Sequence, residues 1–205
     1  MKPRKPSLPD AQPVQLAPLV PPTCRPPGRS SGTEVSSQVD TGTLEEALAS
    51  WLAAYSRLVI AGVGNSLRSD DGLGVEVVAR LAGKVPQNTL VVDCGTVPES
   101  YLGPIRRFRP SHILIIDAAD IESYPGSIKL VLPEQIVGLI LSTHNLPMSV
   151  LSDYMREQTR AKIAFLVIQP KNTEFGEGLS PEVEDAVKRV TELVRVLLAK
   201  DQSAD

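Results

Sequence analysis

Short continuous apolar runs alternate along this chain with segments of helical spacing, beginning at Leu58. "RLVIAGVG" reads as a buried strand. "DGLGVEVVARLAG" reads as a helix with Val75, Val78, Ala79 and Ala82 inward. "TLVVDCG" is a second strand, "ESYLGPIRRF" a short helix and "HILIIDA" a third strand. "SIKLVL" is a fourth, more polar and near an edge. "PMSVLSDYMREQ" is helical, with Pro147 in the first turn, where a missing N–H costs nothing. "KIAFLVIQP" is the fifth strand. A long helix closes the chain, with Ser180 as N-cap before Pro181 and a stripe of Val183, Val187, Val190, Val194 and Leu197. Upstream, Thr43 and Glu46 fit a capping box, and Leu44, Leu48, Trp51 and Tyr55 recur on one face. Continuous apolar strands between amphipathic helices predict a mostly parallel, five-stranded sheet covered on both faces, a three-layer α/β/α sandwich.

The first 40 residues do not follow this pattern. They hold half of the chain's 18 prolines and almost no large apolar periodicity, so burial cannot offset their ordering entropy. The expected organisation is a disordered tail over 1–40 and one α/β domain over 41–205. With 42% hydrophobic residues the chain has material for one core, and a net charge of −3 offers no field for a polyanion. Nucleic acid is therefore not an expected partner. No apolar run approaches the roughly 20 residues a spanning helix needs, and prolines interrupt the basic start before a signal-peptide core can form. Cys24 and Cys94 have neither metal-type nor redox-type spacing. Together these features predict a cytoplasmic protein without membrane insertion.

Ligands of open α/β sheets sit beyond the carboxyl ends of the strands. The first strand ends at Gly64 and leads into "NSLRSDDG", with Asp70 and Asp71. The second ends at Asp93; the third ends at Asp117, with Asp120 beyond. Of the two histidines, His112 precedes the third strand at the amino end, whereas His144 in "LSTHNLP" can reach the carboxyl rim. Asp71, Asp117 and His144 can therefore converge at a solvent-facing rim. Two carboxylates and an imidazole suit nickel, zinc, manganese or iron and leave positions open for a substrate. Taken singly, each also has a plainer reading: strand-end acids often cap helices or form turns, and loop histidines are commonly surface residues. The glycine turn is not a nucleotide loop. Leu67 stands where a G-x-G-x-x-G motif needs its third glycine, no phosphate-loop lysine follows, and no G-x-S-x-G elbow occurs.

"GVGNSLRSDDGLG", "VVDCGTVPES", "ILIIDAADIESYPGSIKLV", "STHNLPMSVL" and "AFLVIQP" occur in that order over residues 58 to about 170. Together they resemble the endopeptidases that mature the large subunit of NiFe hydrogenases. The "THNLP" loop is most similar to the branch serving formate hydrogenlyase-type hydrogenases. The resemblance implies a phosphorylase/hydrolase-like sandwich and a metal-dependent, aspartic-type endopeptidase. Such an enzyme cuts a C-terminal extension from the large-subunit precursor after nickel insertion. The family's metal positions fall on Asp71, Asp117 and His144, which form the implied catalytic centre. Nickel would arrive with the precursor, and other divalent metals can take its place in crystals. Gly64, Asn65, Gly95 and Thr96 are the implied substrate-binding turns, and a monomer is expected. Asp70 would orient a water or, more simply, cap the helix. Where the family usually has Gly-Gly after the second-strand aspartate, this chain has Cys94-Gly95. The rival reading is a non-catalytic, nickel-binding checkpoint for the same precursor.

Overall fold

The computed structural model describes residues 43–135, 140–141 and 148–201. The strands are β1 (Leu58–Val63), β2 (Thr89–Gly95), β3 (His112–Asp120), β4 (Ile128–Val131), β5 (Ile140–Leu141) and β6 (Lys162–Ile168). The helices are α1 (Leu44–Leu52), α2 (Leu73–Leu81), α3 (Leu102–Phe108), α4 (Met148–Thr159) and α5 (Pro181–Asp201). The main sheet runs β2-β1-β3-β6-β4. Its first four strands are parallel, β4 is antiparallel to β6, and the two-residue β5 lies antiparallel against Ala119–Asp120 of β3. The five strands expected from the sequence form this path. The sequence pattern does not show β5, because two residues carry no period.

Side-chain parity divides the core. Leu58, Ile60, Leu114, Ile116 and Leu166 face α1, α2 and α5. Val59, Ala61, Ile113, Ile115, Phe165 and Val167 face α3 and α4, where Leu102, Ile105, Leu151 and Met155 meet them. Strands buried on both faces need apolar residues at every position, which is why β1, β3 and β6 read as unbroken runs. The α1 capping box is formed: Thr43 Oγ1 accepts from Glu46 N, and Glu46 Oε2 accepts from Thr43 N.

One face differs from expectation. In α2 the buried residues are Leu73, Gly74, Val77, Val78 and Leu81, whereas Ala79 is exposed, Val75 half-buried and Ala82 outside the helix. The rotation is set by Gly74. A Cβ there would collide with the carbonyl oxygens of Val63 and Ile116, so the helix start sits directly on β1 and β3.

Strand order places a topological switch between β1 and β3. The chain leaves β1 for β2 through α2 on one face, then returns to β3 through α3 on the other. The carboxyl ends of β1 and β3 consequently border the crevice where such sheets bind ligands.

Candidate active site

The loop after β1 is built around Gly64. Its φ of 142° is costly for other residues, and a Cβ would collide with the carbonyl oxygen of Asp71. The chain therefore folds back on itself. Asn65 N donates to both the carbonyl and Oδ2 of Asp71 at 3.2 Å, and Asn65 Oδ1 accepts from Leu67 N at 3.0 Å. A 3₁₀ turn, Ser69–Gly72, then leads into α2 and packs against β3, the strand that carries Asp117.

Asp71 and Asp117 are both fully buried, not exposed on a solvent-facing rim as the sequence led us to expect. Asp71 is held within the Gly64 turn through Asn65 N–H, and Asp117 lies on β3 between β1 and β6. Oδ1 of Asp71 is buried without a hydrogen-bond partner, and Asp117 Oδ1 accepts from Ala118 N at 2.8 Å. An unmatched buried carboxylate oxygen is unfavourable by roughly 1–3 kcal/mol or more, unless a cation satisfies it. Hard oxygen donors at a switch point fit a divalent cation. Among the described residues no group of three His, Cys, Asp or Glu forms a metal cluster. His144, the third expected ligand, lies outside the described residues.

The other acids have plainer duties. Asp93 and Asp120 are exposed turn formers, accepting from Gly95 N at 2.9 Å and Glu122 N at 3.0 Å. Asp70 neither caps α2 nor faces solvent: α2 and the preceding 3₁₀ turn have no side-chain cap bond, and Asp70 is fully buried. Its carboxylate accepts from Lys171 N, Asn172 N, Ser180 N and Ser180 Oγ at 2.6–3.0 Å. Sequence reading missed this anchor; the only available signal was a second acid beside Asp71, with nothing to name partners a hundred residues away.

Of the turn residues expected to bind substrate, Gly64 is buried and its N–H is taken by the Gly95 carbonyl at 2.9 Å, so it shapes the turn. Asn65 and Gly95 are half-buried and Thr96 is exposed. The Cys94 thiol is pushed up to about 12 by burial and then by the Asp93 charge, so it supplies no thiolate near neutral pH. His112 sits at the amino end of β3, as expected. Its ring meets Trp51 edge-on at 5.0 Å, and Nδ1 lies 3.0 Å from Ser111 Oγ. Burial, then the Lys162 charge, holds its pKa below the usual value.

Fold and site define a doubly wound α/β protein with two buried acids beside its switch point. Residues 75–196 match the HycI hydrogenase maturation protease model. The hydrogenase 3 maturation protease of Escherichia coli is 35% identical over 133 residues, which cover 64% of this chain and 85% of that protein. The crystal structure of the NiFe hydrogenase maturation protease HycI from Thermococcus kodakarensis superposes with a TM-score of 0.70 at 33% identity, covering 75% of this chain and 99% of that one. The E. coli endopeptidase HybD superposes at 0.60 with 26% identity, covering 71% and 93%. This chain belongs to the hydrogenase maturation protease family, and its similarity to hydrogenase 3 proteases fits the formate hydrogenlyase-type branch. No described helix is long and apolar enough to cross a membrane.

Proposed function

We propose that this chain is an endopeptidase that removes the C-terminal extension of a NiFe hydrogenase large-subunit precursor after nickel insertion. The observation that carries this reading is the buried, partnerless Oδ1 of Asp71 at the β1/β3 switch point of a maturation-protease fold. Asp71, Asp117 and His144 are the proposed ligands of nickel that enters with the precursor. Two flanking elements support His144. Leu141 pairs with Ala119, two residues beyond Asp117 on the same strand. On the other side, α4 packs on the sheet face to which Asp117 belongs by parity.

A nickel ion held there would polarise the scissile carbonyl and lower the pKa of an attacking water. The protein's own share is arrangement. The Gly64 turn fixes Asp71, β3 fixes Asp117, and the half-buried Asn65 and Gly95 with exposed Thr96 leave the turn tops open to a polypeptide. The aspartates act as ligands and charge stabilisers, and the reaction is hydrolysis of one peptide bond. The proposed setting is the cytoplasm, as a monomer.

The test is incubation of the full chain with a nickel-loaded large-subunit precursor from the same organism, followed by mass spectrometry. Release of one C-terminal peptide, absent with a nickel-free precursor, is expected. Stable binding with no peptide released would leave only the checkpoint role.

A further inference from the structure

Two large apolar side chains stand out beside the acids: Leu67 is 61% exposed and Phe175 79% exposed. Single exposed apolar residues are ordinary, but the two loops that carry these are tied together by backbone hydrogen bonds. Gly176 N donates to the Leu67 carbonyl at 3.0 Å, and Ser69 N to the Gly176 carbonyl at 2.8 Å. Together they make a parallel bridge between Arg68 and Gly176. Asp70 N donates to the Asn172 carbonyl at 3.1 Å, while its buried carboxylate gathers Lys171, Asn172 and Ser180. Arg68 Nε donates to the Thr173 carbonyl at 3.0 Å, and its guanidinium lies 5.5 Å from the centre of the Phe175 ring. The loop after β1 and the loop after β6 are thus one stitched platform, which displays Leu67 and Phe175 to solvent.

We propose that Leu67 and Phe175 form a docking patch for the polypeptide precursor, seating an apolar part of its surface beside Asp71. The inference rests on the protease reading above. Leu67 lies four residues before Asp71 in the same loop, so the patch and the candidate ligand belong to one turn. At 61% and 79% exposure the two side chains stand proud of the surface, a shape that suits a protein and not a small ligand, which needs concavity. An open patch with an aromatic anchor and an arginine on an already ordered backbone is what a protein surface engages, because little loop entropy is left to lose on contact.

The experiment measures the affinity of the full-length chain for a nickel-loaded large-subunit precursor, alongside thermal melts and peptide release. Leu67→Ser and Phe175→Ser should each weaken binding about tenfold or more with unchanged melting. The conservative Leu67→Met should retain wild-type affinity. Tyr154→Ser, at an exposed position on α4, should change nothing. Affinities of both serine variants within about twofold of wild type would overturn the patch, as would absence of binding by the wild type. So would wild-type self-association lost in the serine variants with precursor affinity unchanged. Peptide release is scored separately. Patch-dependent binding without cleavage sinks the protease reading and keeps the patch, whereas normal cleavage with unaffected serine variants does the reverse.

Discussion

Asp70 and Asp71 are adjacent and fully buried, yet four donors converge on the first carboxylate and one on the second. A carboxylate that is fully matched contributes to stability, and one left partly unmatched is available to a ligand. Asp71→Asn should therefore leave the melting temperature close to wild type, since Oδ1 has no partner to lose, while cleavage falls at least about 100-fold. Parallel melts and precursor cleavage check this; full cleavage by Asp71→Asn would remove it from the site. His112 offers a test by pH. Its folded pKa is lowered by burial and then by Lys162, so the native state resists the proton that the unfolded chain accepts below about 6.5. The contribution is whole above that pH and is lost as pH falls from there through the folded value. Melts from pH 5 to 8 should show a smaller acid-side decline in His112→Gln than in wild type. Cleavage at neutral pH should persist, because His112 sits at the opposite end of the sheet.

Among the elements, the loop stitched to the β1 turn by Asp70 has the clearest energetic signature. Asp70→Ala would strand three backbone N–H groups and the Ser180 hydroxyl, only some of which water can reach. A loss of about 2–3 kcal/mol is expected, more than a helix cap would contribute, together with faster proteolysis within 169–180. Urea melts and limited digestion measure both. This contact also marks the limit of what the sequence reveals. Strands β1, β3 and β6 are legible because burial on two faces writes itself as an unbroken apolar run. The acids are legible as candidates because strand ends are. The rotation of α2 is not, since the contact of Gly74 with Val63 and Ile116 decides it. Nor is the burial of Asp71, which needs the Gly64 turn to close, or the partnership of Asp70 with Ser180, 110 residues away. These features depend on tertiary contact and leave no local period.

At the scale of the molecule, the core among the described residues begins with α1. Leu48, Leu52 and Tyr55 are buried in the cluster beneath α2 and α5, Trp51 covers His112, and Lys200 near the end of α5 reaches Glu45 at 3.6 Å. The capping box between Thr43 and Glu46 starts this helix. Two truncations should thus behave oppositely. A chain starting at Thr41 keeps every buried side chain named here and loses a proline-rich segment whose composition cannot supply a core. It should melt within about 1–2 °C of the full chain and cleave precursor at the same rate. A chain starting at Leu58 would strip α1 from β4 and forfeit three buried side chains, at about 1.5–3 kcal/mol each. That sum, roughly 5 kcal/mol or more, rivals the whole stability of an ordinary domain, so this shorter chain should not fold cooperatively. Calorimetry on both truncations decides the matter. A Thr41 chain that melts far below the full protein, or cleaves poorly while folding normally, would make residues 1–40 a working part of the enzyme.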